Sequence, residues 1–452
     1  MDWLSATPPV IALLVAVLTR NVYWALGAAI LLSETLLAGL NPALGLLGSI
    51  DRGADVFSDA GNTRILLFCL IIGALIAYLE RANAFAAMVS WLARSGLAKG
   101  PRQAGAITAL AGVIIFVETN VSLLATGLLG QRLFDRVKLS RARLAYVIDS
   151  TCAPVSVLIL LNGWGAYILG LLAANDVDQP LDVMVKAIPL NLYAILTLAL
   201  VFYVVLSNRS FGPMKAADAL SLAEPKASAV ADPNSGSVWA FVIPMCVLVG
   251  GSIGFMAWTG GGNILAGSGS QSILWSVCLA TVVAFLMLAR HKAQRGELVG
   301  AGFKGMGDLL PAVTIIFLAL ALGSSLKALG TGAFIAQMAS AMPYSWAIPG
   351  ALFVAASITS FTTGTSWGTY GILVPLAIPL AAGAGVPLPL VLAAVLGGGV
   401  FGDHCSPISD TTIIASLASG CDHLEHVRTQ IPYALLAGAG ALAFYLLAGF
   451  VS

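Results

Sequence analysis

Long apolar runs, separated by short polar stretches, fill this chain from end to end. Crossing a bilayer takes about 20 apolar residues, and ten stretches approach or exceed that length: 8–19, 22–40, 64–80, 144–171, 187–206, 238–258, 272–289, 311–329, 388–417 and 431–451. The first is short and opens on Pro8 and Pro9, and two others, 144–171 and 388–417, are interrupted by polar residues. Segments 41–62 and 81–93 alternate apolar and polar faces and are predicted to lie along the membrane interface. Met1 to Leu18 has no basic leading region and no small-residue cleavage site before Arg20, so it reads as a retained first span.

Two further segments behave differently. Ala104 to Gly130 is long enough to cross, yet it is basic on both sides: Arg94, Lys99 and Arg102 precede it, and Arg132, Arg136, Lys138, Arg141 and Arg143 follow. Positive residues favour the cytoplasmic side, so both ends belong there. The segment is predicted to be a re-entrant hairpin with its tip at Glu118-Thr-Asn-Val-Ser122. Ser345 to Ala382 holds no Lys or Arg and has a polar tip, Thr362-Thr-Gly-Thr-Ser-Trp-Gly368, predicting a second hairpin that enters from outside.

The polar interruption within 388–417 is the most informative stretch. It sets Asp403, His404 and Asp410, with Ser406, Ser409 and Thr411, between the apolar runs Leu388–Leu396 and Ile413–Leu417. A carboxylate at mid-bilayer costs about 2.5 to 3.5 kcal/mol on insertion scales and usually marks an ion or proton path. Pro407 lacks an N–H, and Gly397 to Gly399 with Gly402 weaken helix propensity, so a broken helix is predicted. Backbone carbonyls freed at such a break can ligate a cation. The polar residues of 144–171 predict a second break around Cys152-Ala-Pro-Val-Ser156.

Composition agrees with a polytopic membrane protein: of 452 residues, 59% are hydrophobic and 10% charged, with mean hydropathy +0.94, against about 25% charged in soluble domains. The net charge of +1 gives no nucleic-acid signature. The six cysteines sit in or near apolar runs without paired spacing, so no disulfide framework is expected. Loops 131–143 and 290–304 are basic and predicted cytoplasmic, Asn175 to Gln179 is predicted external, and 207–237 reads as a flexible cytoplasmic linker.

The chain also resembles itself. At an offset of 250, Leu70 matches Leu320, Gly73 matches Gly323, Leu79 matches Leu329 and Met88 matches Met338; at 253, Cys152-Ala-Pro-Val-Ser156 matches Cys405-Ser-Pro-Ile-Ser409. The predicted fold is therefore an all-α polytopic membrane protein of two inverted repeats. Each repeat has about five transmembrane spans and one re-entrant hairpin, with paired broken helices: 1–206, the linker 207–237, and 238–452. Inverted repeats with broken helices are the architecture of secondary transporters, with the site at the repeat interface.

Gly402-Asp-His-Cys-Ser-Pro-Ile-Ser-Asp-Thr411, continuing through Cys421-Asp-His-Leu-Glu-His-Val-Arg-Thr-Gln430, resembles the signature of the NhaC-type sodium/proton antiporter family, within the wider ion transporter superfamily. The resemblance implies exchange of sodium against protons at a bacterial inner membrane, with no cofactor beyond those ions. Proteins similar to this family include exchangers that couple these ions to small organic acids or amino acids, and the motif does not separate these activities. A homodimer in the lipid bilayer is compatible with it.

Sodium is a hard cation and takes oxygen ligands. The first half offers Glu118, Thr119, Asn120, Ser122, Asp149, Ser150, Thr151 and Ser156, and the second Thr362, Thr363, Thr365, Ser366, Asp403, Ser406, Ser409, Asp410 and Thr411. Asp403, Asp410, His404, Glu118 and Asp149 are the candidates for proton or ion coupling, and sodium is assigned to Asp403, Ser406, Ser409 and Asn120. By position, Asp410 is expected to cap the second half-helix and Asp403 to carry the ion or proton. Each assignment has a plainer rival. Glu118 could hold its tip to a neighbour, Asp149 could pair with Arg141 or Arg143, His404 could be a hydrogen-bonded structural histidine, and helical Ser and Thr usually bond back to the backbone. A different class of protein, a membrane-embedded metal-dependent enzyme using Cys421, His423 and His426 with Asp403 and His404, is the remote alternative.

Overall fold

The computed structural model describes residues 2–94, 100–221, 236–264, 267–290 and 295–452, and no strand occurs among them. Lys99, Lys292 and residues 222–235 of the expected linker lie outside the described residues. The helices of the first half are α1 (Asp2–Ser5), α2 (Thr7–Thr19), α3 (Val22–Leu37), α4 (Pro42–Asp55), α5 (Ala60–Arg81), α6 (Ala84–Arg94), α7 (Pro101–Ile114), α8 (Thr119–Arg136), α9 (Arg141–Leu158), α10 (Gly163–Ala174), α11 (Pro180–Ala187) and α12 (Leu192–Ser207). After α13 (Pro213–Ser221) the second half holds α14 (Trp239–Thr259), α15 (Gly269–Ala289), α16 (Arg295–Asp308), α17 (Leu310–Leu329), α18 (Thr331–Ser340), α19 (Ile348–Thr363), α20 (Ser366–Ala384), α21 (Leu388–Cys405), α22 (Asp410–Ser419) and α23 (His423–Val451).

Polar side chains set many of the helix starts, because the first N–H groups of a helix have no partner within it and lipid offers none. Asn21 opens α3, Asn41 α4, Asp59 α5, Ser140 α9, Asn191 α12 and Asp422 α23, each accepting from an N–H of the first turn. Among the described residues, nine helices or helix runs are long and apolar enough to cross a membrane, or eleven spans when two bent pairs are each counted once. One bent pair, α3 with α4, turns through 117°, so α4 departs sharply from the span before it. The second hairpin, α19 and α20, differs from the first in that each of its arms is long and apolar enough to span. Its tip nevertheless abuts a helix break, as described below.

Both predicted breaks exist, but the first lies elsewhere. Helix α9 runs through Pro154 to Leu158 and stops at Ile159–Leu161, beyond Cys152–Ser156. Asn162 fixes the stop: its Oδ1 accepts from Gly165 N at 3.0 Å to start α10, while Nδ2 donates to Ser156 O and Phe116 O. The second break, Ser406–Ser409, follows an unbroken α21. The glycines of α21 do not interrupt it. A Cβ at Gly398 would come within 2.3 Å of Phe353 O and one at Gly402 within 2.3 Å of Ser357 O, so these glycines let α19 lie against α21.

The same order of elements recurs in both halves, in a register other than the one the sequence matches suggested. Helices α5 to α10 correspond to α17 to α22, with hairpins and breaks 247 residues apart: Asn162 opens α10 as Ser409 opens α22, and Gly165 N and Thr412 N are their equivalent donors. Packing across the halves is reciprocal: α15 lies on α5 and α3 on α17, α16 on α5 and α4 on α17, α22 on α8 and α10 on α20. Part of the expected flexible linker is ordered. Helix α13 packs on α9 and α23, and its Asp218 accepts from Ser140 Oγ at 2.6 Å and from Ser210 Oγ at 2.7 Å.

Candidate functional site

Each hairpin tip meets the break of its own half. In the second half, Asp403 is 1% exposed and sits in the last turn of α21, where both carboxylate oxygens accept hydroxyls. Ser409 Oγ donates to Oδ1 at 2.7 Å, and Ser366 Oγ, from the first residue of α20, donates to Oδ2 at 3.1 Å. Thr411 Oγ1 lies 3.0 Å from Ser409 Oγ, and Thr412 Oγ1 donates to the Asp403 carbonyl at 3.3 Å. Among the described residues no Lys, Arg or His forms an ion pair with Asp403. A buried carboxylate without a positive partner is costly, and such groups are normally paired, protonated or bound to a cation.

The first-half junction is the same design without the acid. Thr119 and Ser156, the counterparts of Ser366 and Asp403, are joined at 2.9 Å, and Ser156 also donates to Cys152 O. Here the acid is on the tip instead. Glu118 is the N-cap of α8, its Oε2 accepting from Val121 N at 2.7 Å.

A cavity of about 420 Å³ lies where both tips and both breaks converge. Glu118 and Asn120 line it from the first tip, Thr363, Gly364 and Thr365 from the second, Gly163 and Trp164 from one break, and Asp410 from the other. Asn120 Oδ1 is buried and has no hydrogen-bond partner. Trp164 and Trp367, 5.2 Å apart between ring centroids, form an aromatic wall across the two halves. Arg20 and Asp308 also line the cavity, and nothing in the sequence had marked them.

Several expected ligands are occupied elsewhere. Ser406 Oγ donates to Phe361 O at 2.7 Å, tying the second tip to its break, and is not on the cavity wall. The helix cap expected of Asp410 is made by Ser409, whose Oγ accepts from Thr412 N; Asp410 occupies the first helical position of α22 and faces the cavity. Thr362 and Thr363 bond back to Thr359 O and Thr151 to Val147 O, while Ser122 contacts Gly112 O and Cys152 Sγ. Ser150 is buried within α9. None of Thr151, Ser122 and Ser150 lines the cavity.

Asp149 and His404 belong to a separate buried group. Asp149 is 0% exposed and pairs with neither Arg141, which holds Asp135 at 2.6 Å, nor Arg143, which holds Asn208 at 2.9 Å. Its Oδ2 instead meets His426 Nε2 at 3.3 Å and Gln430 Nε2 at 2.6 Å. His404 Nδ1 lies 2.9 Å from the Tyr193 hydroxyl. His426 and Gln430 were missed as partners; their spacing of four residues puts both on one face of α23, a signal the sequence does carry. Cys421, His423 and His426 do not converge: His423 faces Ser416 and Pro407 O, Cys421 faces Glu425, and His426 faces Asp149.

Helices broken beside two hairpin tips, with acids at the junctions, define a multi-pass secondary transporter. The sequence pattern of the Na+/H+ antiporter family matches residues 144–450, and the chain belongs to that family. An uncharacterized protein of Haemophilus influenzae is 30% identical across 99% of this chain and 91% of its own length. A Malate-2H(+)/Na(+)-lactate antiporter of Bacillus subtilis is 42% identical over 101 residues, 22% of each chain. Among solved structures, the YdaH transporter of Alcanivorax borkumensis superposes with a TM-score of 0.62 at 12% identity, covering 90% of this chain and 88% of that one. That likeness is one of fold.

Proposed function

We propose that the protein exchanges sodium for protons across a bacterial inner membrane, and that Asp403 carries the two ions in turn. Residues 1–206 and 238–452 then act as inverted repeats around the site. The observation that supports this reading is the environment of Asp403: a buried carboxylate, met only by hydroxyls and lacking a positive partner among the described residues. Such a group needs a cation or a proton. Sodium would be held by the carboxylate with the hydroxyl oxygens of Ser366, Ser409 and Thr411, which can rotate to present lone pairs. A proton would occupy the same carboxylate when sodium leaves. Glu118, Asp410 and Asn120 line the approach and draw the cation in. Proteoliposomes test the reading: sodium added outside should dissipate an imposed pH gradient in the wild type and not in Asp403→Asn, and wild-type vesicles that respond to neither sodium nor lithium would refute it.

A second reading draws on the size of the cavity. At about 420 Å³ it far exceeds the roughly 30 Å³ that a water molecule occupies in the liquid, and it has room for a small organic acid or amino acid beside the ion. The same vesicles, loaded with candidate acids, separate the two readings.

A further inference from the structure

We propose that Asp149 and His426 form a second proton-binding site, separate from the cavity and from the Asp403 shell, in which one proton is bound by the carboxylate–imidazole pair. The pair bridges the halves, since Asp149 is on the broken helix α9 and His426 on the last helix α23. Both side chains are 0% exposed, and only one oxygen and one nitrogen are engaged with each other, at 3.3 Å. The other polar atoms of the group, Asp149 Oδ1, His426 Nδ1 and Gln430 Oε1, are buried and have no hydrogen-bond partner. A purely structural network would satisfy its members, and buried exceptions call for a specific explanation. A group that gains and loses a proton supplies one, because its donors and acceptors cannot be fully matched in both states.

Charge makes the same point. With the carboxylate ionised and the imidazole neutral, the pair holds a buried net negative charge, which one added proton neutralises. Imidazole is the side chain suited to exchanging that proton near neutral pH. The titratable groups within electrostatic reach of Asp149 are Cys152 from α9, His404 and Asp403 from α21, Asp410 from α22 and Tyr193 from α12, while Tyr146 of α9 packs against Tyr433 of α23. Helix α19 brings no titratable side chain, and the Arg143 and Asp218 charges, from α9 and α13, are engaged with each other. Asp149 lies within electrostatic reach of both Asp403 and Asp410. Sodium arriving among those carboxylates offsets their negative charge and so loosens the proton at Asp149–His426, without touching it. Gln430 joins the two regions, donating to Asp149 Oδ2 at 2.6 Å and to the His404 carbonyl at 3.0 Å.

The role in exchange rests on the antiport reading above, whereas the existence of the site does not. The chain has four histidines, His291, His404, His423 and His426, so imidazole nitrogen NMR of the purified wild-type protein resolves the question directly, with His426 assigned by difference from variants at the other three. The His426 signal should respond to pH in the wild type and respond differently in Asp149→Asn; a His426 signal that pH does not move overturns the proposal, whether or not the His426 variant folds. In proteoliposomes, His426→Gln should retain sodium uptake while moving one proton fewer per cycle, read from the sodium gradient that just balances an opposing pH gradient. An unchanged ratio in His426→Gln would leave the titrating pair outside the transport cycle and contradict its part in exchange. Wild-type vesicles without sodium/proton exchange would refute the antiport reading alone, leaving the NMR result to decide the site.

Discussion

The two hairpin–break junctions share one scaffold and differ in where each keeps its acids. In the first, the buried inner position is Ser156, the helix opens on Gly163, and the acid, Glu118, caps the tip. In the second, the corresponding positions are Asp403, Asp410 and Thr365. Acid on the tip in one half faces acid on the break in the other, and the cavity lies between. A symmetric arrangement would bury two carboxylates in equivalent shells and offer two like sites. This one places a single carboxylate, Asp403, at the inner junction position and sets Glu118 and Asp410 on the cavity wall, so on the proposed reading the second half alone holds the ion while both halves admit it.

The sharpest way to break this comparison is to alter the two inner positions in parallel. Asp403→Asn should lower sodium-dependent exchange by about 100-fold or more, the scale expected when roughly 3 kcal/mol of charge interaction is lost, while Ser156→Ala should stay within about 3-fold, as loss of one neutral hydrogen bond. Flux assays in proteoliposomes check both, and equal losses would mean that the junctions are equivalent after all. Glu118→Gln comes next: it should weaken apparent sodium affinity by about 10-fold through loss of one charge near the path and leave the maximal rate largely intact.

The smallest effect concerns the tips themselves. Gly364 has φ +68° and a Cβ there would come within 2.5 Å of Ile408 O, whereas the matching residue of the first tip is Val117, which is not among the residues of positive φ. Gly364→Ala should cost about 1 to 2 kcal/mol from the left-handed backbone alone and lower the thermal midpoint of the purified protein. An unchanged midpoint would show that the second tip is free to move away from its break.

Much of this was readable because membrane burial leaves coarse marks. Asp403, Ser409 and Asp410 stand out in an apolar run, and Glu118 stands out at a tip between basic flanks. What misled was local similarity. Cys152–Ser156 matches Cys405–Ser409 in letters, but Pro154 is accommodated within α9 and the true break is set by Asn162, whose side chain bonds Ser156, Phe116 and Gly165. A capping side chain, not a proline, decides that break, and sequence spacing gives little hint of it. The glycines of α21 looked like helix breakers, yet their missing side chains serve the contact with α19, which only the tertiary structure reveals. The pairing of His426 and Gln430 with Asp149 was not legible because Asp149 is 277 residues away from His426 in the chain.

The central claim is that one buried carboxylate, Asp403, holds sodium and the proton in turn. Sodium binding to the purified protein, measured at a series of pH values, tests it most directly. Competition of a proton with sodium at Asp403 predicts that apparent sodium affinity falls by at least about tenfold for each pH unit below the titration of the site, and that Asp403→Asn removes this dependence together with the binding itself. Sodium affinity that is the same from acid to alkaline pH, in folded wild-type protein, would contradict the account.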